Sequence, residues 1–210
     1  MLTIGLAGGI ASGKSLVASQ FERLGAKALD ADKMGHDVLR DEAVIQKVKR
    51  FLGSEVLDSS GQLSRKAIAE LVFEQSAGAK QRLASLEKIT HPKIKEKIIS
   101  CIEQYRSEGS PAAILDAPVM FKSGWDRLCE KIVFVRATEE VRLKRALERG
   151  WSELHFQERE ASQTPLATKL SRATDVINNN KDVVNTNLQV KQLWEKWDLP
   201  LPNNCEEGEA

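Results

Sequence analysis

The sequence predicts an α/β fold in which helices cover a central parallel sheet of about five strands. Short apolar runs, typical of buried parallel strands, alternate with stretches that have helical spacing. A glycine-rich segment, Gly8–Ser15, lies between the first apolar run and the first helical stretch. The chain of 210 residues is long enough for one substantial core with insertions.

The segment Gly8–Ser15 (GGIASGKS) fits the pattern G-x-x-x-x-G-K-[ST] of a phosphate-binding loop. It follows the strand-like run 1–7 and precedes the helical pattern 15–24, so backbone N–H groups and a helix dipole favour an anion there. Lys14 can reach the β- and γ-phosphates of a nucleotide, and the Ser15 hydroxyl is placed to bind Mg²⁺. The alternative is a glycine-rich turn without a ligand. The predicted ATP site consists of Gly8, Gly9, Ile10, Ala11, Ser12, Gly13, Lys14, Ser15 and Leu16.

The second strand is predicted over 26–32 (AKALDAD) and carries two carboxylates near its end. A period of two places Asp30 and Asp32 on the same side of a strand. The carboxyl ends of the strands are the edge at which open α/β sheets bind ligands. We therefore expect this pair to lie at the ligand edge.

Residues 33–110 contain only helical patterns, which are interrupted at Gly53, at 58–61 and at Pro92. One predicted helix starts at Ser64 with Arg65 (SRKAIAELVFEQ), a second covers 79–90, and a third resumes at 93–107. The absence of strand-like runs predicts an inserted, mostly helical subdomain.

The second half of the chain supplies the remaining predicted strands, 112–118 and 131–137, with Val176 and Ile177 in another. Asp116 lies at the end of the first of these. Val183 and Val184 are expected to mark the end of the core. The segment 141–172 is rich in arginine, which is typical either of a solvated helix face or of a lid. The acidic tail 203–210 is expected to be disordered.

Charge and cysteine content narrow the class of protein. A net charge of +1 provides no basic field for nucleic acid or for an anionic membrane, so neither is expected as a partner. The three cysteines are odd in number and lack C-x-x-C spacing, which argues against a disulfide framework and a zinc site. We expect a soluble protein of the reducing cytoplasm.

Over about residues 2–197 the chain resembles the dephospho-coenzyme A kinases, which catalyse the last step of coenzyme A synthesis. A phosphate loop alone is shared by many unlike proteins, whereas the ordered set of motifs is far more specific. The motifs that carry the resemblance are GGIASGKS, Leu29–Asp32 (LDAD), Gly61–Leu63 with Arg65, Val72-Phe73, His91-Pro92 with Ile94, Ala117–Phe121 (APVMF), Arg145 and Arg149, Arg159 with Gln163, Lys169, and Ala173–Asn179 (ATDVINN).

The resemblance implies a three-layer P-loop kinase that transfers phosphate from ATP, with Mg²⁺, to the ribose 3′-hydroxyl of dephospho-coenzyme A. It implies a single kinase domain over 1–202, with a core of about 1–33, 111–140 and 173–202. An acceptor-binding helical insertion is then expected at about 34–110 and a lid at about 141–172.

The resemblance also implies roles for individual residues. Asp32 matches the family's proposed general base; a helix-capping aspartate is the alternative. Arg149 matches a lid arginine that contacts the donor phosphates, and it joins Lys14 and Asp32 as a candidate catalytic residue. Asp116 could hold Mg²⁺ or form a turn before Pro118.

Candidate acceptor residues lie in the helical insertion. Arg65, His91 and Pro92, with Asp32, match positions on the acceptor side of the resembled family. His91 is interpreted as a structural residue or an acceptor contact rather than as an acid–base group.

Several residues depart from the family pattern while the loop glycines, Lys14 and Ser15 are kept. The departures are Ala11 for a loop glycine, Leu16 for threonine, Lys122 for glutamate, Gly150 for aspartate, and Thr174 and Asn178 for acidic residues. Another small P-loop kinase, of the nucleoside monophosphate or shikimate type, is the alternative function. A nucleotide-switch protein is a remote alternative, because Asn180–Val183 fails the N-K-x-D guanine motif.

Overall fold

The computed structural model describes residues 1–74, 76 and 78–201. The predicted disordered tail, 203–210, and Cys205 lie outside the described residues. The chain divides into two compact units. One contains Met1–Asp30 and the chain from Cys101 onward, and the other is Ala31–Ser100.

The first unit contains a parallel sheet of five strands, as predicted. The strands are β1 (Leu2–Gly8), β2 (Lys27–Leu29), β3 (Ala112–Leu115), β4 (Lys131–Arg136) and β5 (Asp175–Asn178). Their order is β2-β3-β1-β4-β5, and Gly5 of β1 pairs with Leu115 on one side and Ile132 on the other. Strand β1 therefore lies at the centre and carries the loop at its carboxyl end.

The helices of this unit are α1 (Lys14–Arg23), α6 (Glu139–Glu148), α7 (Glu153–Ala161), α8 (Leu166–Ser171) and α9 (Val183–Lys196). Of these, α1, α8 and α9 contact the sheet, and α6 contacts α7. Phe21 of α1 lies 6.2 Å from Trp194 of α9 and 5.9 Å from Trp197, measured between ring centroids. Each fully buried aromatic side chain contributes about 1.5–3 kcal/mol to stability, so this contact fixes α1 behind the loop.

The unit Ala31–Ser100 is helical, in accord with the absence of strand-like runs there. It contains α2 (Ala31–Val38), α3 (Glu42–Leu52), α4 (Arg65–Phe73) and most of α5 (Ala79–Ser107). Side chains cap two helices: Asp41 accepts from Ala43 N–H at 2.9 Å, and Ser64 accepts from Ala67 N–H at 3.3 Å. In the described part of the chain, no helix has the length and apolar character needed to cross a membrane.

The predicted break at Pro92 is wrong. Helix α5 continues through Pro92, although proline lacks the N–H that would bond to the Lys88 carbonyl, at a cost of about 3 kcal/mol. Ile94, Ile98 and Ile102 are all buried at helical spacing. Their burial is worth about 2 kcal/mol each, which exceeds the local cost.

Two expectations about strands also need correction. Strand β2 ends at Leu29, and the next residues start α2, because Ala31, Met34 and Val38 form its buried face. Val183 and Val184 begin α9 and are 50% and 77% exposed, so they do not mark the end of the core.

Candidate active site

The loop between β1 and α1 presents backbone N–H groups at the start of a helix. Gly13 adopts a left-handed conformation (φ 97°) and precedes α1, which has no side-chain hydrogen bond capping its first turn. Ser12 N–H donates to the Gly9 carbonyl at 3.2 Å, which folds the loop back on itself. Uncapped helix amides and the positive end of the dipole suit a phosphate.

Two glycines are required by close packing. A Cβ at Gly13 would lie 2.0 Å from Asn179 Nδ2, and a Cβ at Gly9 would lie 2.5 Å from Arg142 Nη1. Neither position has room for a methyl group. The loop conformation is therefore set by side chains from elsewhere in the chain as well as by its own sequence.

Asn179 and Arg145 hold the loop from outside. The buried Asn179 side chain donates from Nδ2 to the Ser12 carbonyl at 2.7 Å, and its Oδ1 accepts from the Thr186 hydroxyl at 2.8 Å. Arg145 donates to the same Ser12 carbonyl at 3.4 Å and to the Asn179 carbonyl at 2.9 Å. Neither residue could be assigned this role from the sequence; their place in the ordered motifs was the available signal.

Arg142 lies beneath the loop and is only 3% exposed. Its guanidinium pairs with the Glu160 carboxylate, lies 5.4 Å from the centroid of the Phe156 ring and donates to the Ile10 carbonyl at 3.5 Å. Its Nε is buried without a hydrogen-bond partner among the described residues. The solvated-face interpretation of segment 141–172 is therefore wrong for Arg142.

Arg149 lies at the other end of the same helix. It follows the last residue of α6 and is exposed, unlike Arg142 and Arg145. Its guanidinium makes no hydrogen bond or ion pair with the described residues of the loop, and its contact with donor phosphates stays a prediction.

Lys14 and Lys169 are the two lysines at the loop. The half-buried Lys14 ammonium makes no hydrogen bond or ion pair with any other residue that the structure describes. Lys169, 3% exposed, donates to the Gly8 carbonyl at 3.1 Å and to Gln163 Oε1 at 2.6 Å. Burial, and secondarily the positive charge of Lys14, lowers the pKa of Lys169 to about 8. Both lysines line one small cavity, together with Leu6, Ala7, Gly8, Ala117, Pro118, Phe121 and Gln163.

From the sequence alone, Lys169 is recognisable only as part of a motif. Its burial and its contact with Gly8 come from the packing of α8 against β1, which joins positions 161 residues apart. No local pattern separates such a lysine from those on a solvated helix.

Ser15 and Asp116 are the candidate magnesium ligands. Ser15 is exposed in the first turn of α1, and Asp116 directly follows β3, the neighbour of β1. A hydroxyl and a carboxylate are the hard oxygen donors that Mg²⁺ accepts, and Mg²⁺ typically takes one or two protein ligands together with phosphate oxygens. The donor set therefore fits the ion.

Asp32 lies in the first turn of α2, where an acidic side chain complements the helix dipole, and it is exposed. Asp30 is the residue just before that helix. The expectation that both carboxylates share one side of a strand is wrong, because the strand ends before either of them.

Arg65 is exposed at the start of α4 and lines a cavity of about 340 Å³ within the helical unit. Its other lining residues are His36, Leu39, Arg40, Asp58, Gln62 and Leu63. His91 and Pro92 lie in the middle of α5 and are not part of this lining. Of the four predicted acceptor residues, only Arg65 is among the described residues that line this cavity.

Comparison with known proteins gives consistent matches along the chain. The family described as dephospho-CoA kinase matches residues 2–185. A relative from Dehalococcoides mccartyi, named dephospho-CoA kinase, is 37% identical over 181 residues, covering 86% of this chain and 89% of the relative.

Solved structures agree with this match. TT1252 from Thermus thermophilus has a TM-score of 0.74 at 29% identity and covers 93% of this chain and 97% of its own. The dephospho-CoA kinase from Campylobacter jejuni has a TM-score of 0.68 at 26% identity and covers 93% and 96%.

Proposed function

Because the chain belongs to the dephospho-CoA kinase family and is therefore an ATP-dependent kinase of dephospho-coenzyme A, we propose that the ribose 3′-hydroxyl is its acceptor. The products are coenzyme A and ADP. The observation that supports a phosphate donor at the loop is the excess of positive charge around it. Lys14, Lys169, Arg142 and Arg145 lie at the loop with Glu160, which is already paired with Arg142.

The loop holds the donor phosphates. Phosphoryl transfer passes through a loose, in-line transition state, so the protein acts mainly by positioning the substrates and neutralising phosphate oxygens. The loop amides and Lys14 bind the β- and γ-phosphates. The acceptor oxygen forms a bond to the γ-phosphorus while the bond to the β,γ-bridging oxygen breaks, and that oxygen leaves with ADP.

Ser15 and Asp116 would hold Mg²⁺ on the donor. The bound ion supplies charge neutralisation at the β- and γ-phosphate oxygens. The Ser15 hydroxyl and the Asp116 carboxylate themselves supply oxygen donors near the ends of β1 and β3.

Asp32 receives the proton of the acceptor hydroxyl late in transfer. Its exposure leaves the carboxylate accessible to a substrate. Arg65, His91 and Pro92, within the insertion 34–110, contact other parts of the acceptor. The pantetheine arm is remote from the reacting hydroxyl, so its binding energy helps to align that hydroxyl.

Within the segment 141–172, Arg142, Arg145 and Lys169 already contact the loop, and the rest of the segment acts as a lid that closes over the bound donor. Arg149 then reaches the phosphates, where a planar guanidinium pairs with two oxygens at once. Closure excludes water, which would otherwise compete with the acceptor.

A cytoplasmic location agrees with the cysteine chemistry. Cys101 and Cys129 are both free thiols, and proteins of reducing compartments keep their cysteines in this state.

An acceptor panel tests the proposed reaction. Purified protein is incubated with ATP and Mg²⁺ plus dephospho-coenzyme A, AMP, CMP, shikimate, adenosine or no acceptor, and ADP is followed with mass analysis of the product. We expect rapid ADP formation with dephospho-coenzyme A, a product phosphorylated at the 3′-position, and poor turnover of adenosine. A product phosphorylated elsewhere would refute the 3′-hydroxyl, and equal ADP formation in every tube would indicate a hydrolase.

A further inference from the structure

Lys169 combines a buried charge with a position at the phosphate loop. Its ammonium has three N–H donors. Two of them bond to neutral oxygens, the Gly8 carbonyl at 3.1 Å and Gln163 Oε1 at 2.6 Å. No carboxylate bonds to it in the described part of the chain, so this buried cation has no direct counter-ion in the protein.

The surrounding charges oppose a second cation at this position. Lys14 and Arg142 repel the ammonium, and Glu160, the one attractive neighbour among these groups, already pairs with Arg142. Burial and Lys14 lower the pKa of Lys169 to about 8, so the side chain is still largely protonated at neutral pH. A buried charge of this kind is costly unless a ligand compensates it.

The groups around a narrow cavity of about 10 Å³ beside Lys169 indicate which ligand that is. Lys14, whose ammonium is unpaired within the described residues, lines the same cavity. Ala117 and Pro118, which follow the candidate magnesium ligand Asp116, line its other side. The cavity thus lies at the ends of β1 and β3, where the terminal phosphate of a bound donor is expected.

We propose that Lys169 is a second catalytic lysine, which binds the transferring γ-phosphoryl group together with Lys14. The proposal rests on the proposed function, because it assigns this cation to the same donor phosphates. Charge spreads over the equatorial oxygens of the phosphoryl group during transfer, and preorganised cations stabilise it. Gly8 and Gln163 hold the ammonium in place for this task.

A purely structural role makes different predictions. In that case Lys169 only ties α8 to the Gly8 carbonyl, and its removal would lower stability without changing turnover in the folded fraction. Two measurements distinguish the roles. One is the uptake of protons by the protein when ATP binds, and the other is kcat determined separately from KM.

Variants K169M and K169R are compared with the wild type, using K196M as the control. Lys196 also has a bonded ammonium group, but that group forms a salt bridge with Asp175, which is far from the loop in sequence. We expect K169M to lose about a hundredfold in kcat with a smaller change in the KM for ATP, as for the loss of one transition-state donor. K169R should recover part of kcat, and K196M should match the wild type. A kcat for folded K169M within threefold of the wild type overturns the proposal.

Calorimetry of ATP binding without acceptor supplies the second readout. A phosphate counter-ion raises the pKa of Lys169, so the wild type should take up more protons on ATP binding at pH 9, above the pKa of about 8, than at pH 7. Titrations in buffers of different ionisation enthalpy measure this uptake. It should persist in Q163A, which keeps the lysine, and disappear in K169M; uptake in K169M equal to that of the wild type overturns the proposal.

The two hypotheses fail in different ways. If the wild type does not phosphorylate dephospho-coenzyme A, the proposed function fails, whereas proton uptake on ATP binding still tests Lys169. Should K169M not fold, the wild type and Q163A decide the matter: absence of the pH 9 uptake from both overturns the proposal, and its presence in both supports it.

Discussion

The phosphate loop and the candidate acceptor residues differ in how far the protein itself fixes them. The Ser12 carbonyl is held by Asn179 and Arg145, and the Gly8 carbonyl is held by the buried Lys169. Asp32 and Arg65, by contrast, are exposed on the helical unit. The candidate donor site is thus held in place by the protein's own contacts, whereas the candidate acceptor residues are surface groups whose positions a substrate could set.

The largest effect should come from the donor side, through Lys14→Ala. The ammonium makes no bond to another described residue, so its removal should leave the fold intact. We expect kcat/KM to fall on the order of a thousandfold, as for loss of a preorganised phosphate contact. Steady-state kinetics and ATP titration calorimetry measure the loss.

Lys27→Ala is the matched control, because Lys27 is an exposed lysine on β2. It should behave as the wild type. Normal ATP affinity and turnover in a Lys14→Ala protein with an unchanged circular dichroism spectrum would contradict the assignment.

Asp32→Asn tests the acceptor side of the comparison. The exposed carboxylate can be replaced without a packing cost, so ATP affinity should stay unchanged, and loss of the helix-dipole interaction should lower the free energy of unfolding by only about 0.3–1 kcal/mol. Turnover should fall about a hundredfold, the range for a lost general base. Single-turnover kinetics with dephospho-coenzyme A and ATP calorimetry provide the two measurements.

Asp30→Asn is the neighbouring control and should retain more activity. If Asp32→Asn weakens ATP binding while kcat is kept, Asp32 serves the donor or its magnesium ion, and the division between donor and acceptor sides breaks down.

The two regions also differ in how well the sequence predicted them. The loop is defined by eight consecutive residues, so its place between β1 and α1 follows from local pattern alone. The strand expected over 26–32 exists but ends at Leu29, because Ala31, Met34 and Val38 are buried along a helix, which a short apolar run does not reveal. Pro92 was taken as a break because the burial of Ile94 and Ile98 on α5 is a tertiary effect.

Candidate site residues show the same limit. Lys14 and Ser15 could be named because the motif assigns their chemistry. The roles of Arg142 and Lys169 could not be derived in this way, since charged side chains in a helical segment are usually solvated. Their burial depends on partners such as Glu160 and Gly8, which lie 18 and 161 residues away.

A smaller effect is expected from Asn179→Ala, which removes part of the loop's support. The Ser12 carbonyl would keep only the longer 3.4 Å contact with Arg145 among its described partners. We expect the free energy of unfolding to fall by about 2 kcal/mol and ATP affinity to fall about tenfold. Chemical denaturation and calorimetry measure the two losses.

The exposed neighbour Asn178 provides the control for this variant. Asn178→Ala also removes side-chain hydrogen bonds, to Asn180, but none to the loop. It should leave ATP affinity unchanged. Equal affinity in Asn179→Ala and the wild type would mean that the loop is fixed by its own backbone.

The smallest effect concerns Ala11, which has a left-handed conformation (φ 56°) where the resembled family has glycine. In the folded protein this conformation strains a residue with a Cβ by about 1–2 kcal/mol, and glycine removes that strain. Glycine also has more conformational entropy in the unfolded chain, which lowers stability by about 0.4–1 kcal/mol. Ala11→Gly should therefore raise the free energy of unfolding by about 0.5–1 kcal/mol, as measured by urea denaturation. Asp198 (φ 54°) is the matched control, and Asp198→Gly should give a similar gain.

Because Asn179, Arg142 and Arg145 already hold the loop, ATP affinity in Ala11→Gly should stay within about twofold of the wild type. A tenfold loss of affinity in Ala11→Gly alone would show that the Ala11 methyl group, rather than these outside contacts, keeps the donor side preorganised.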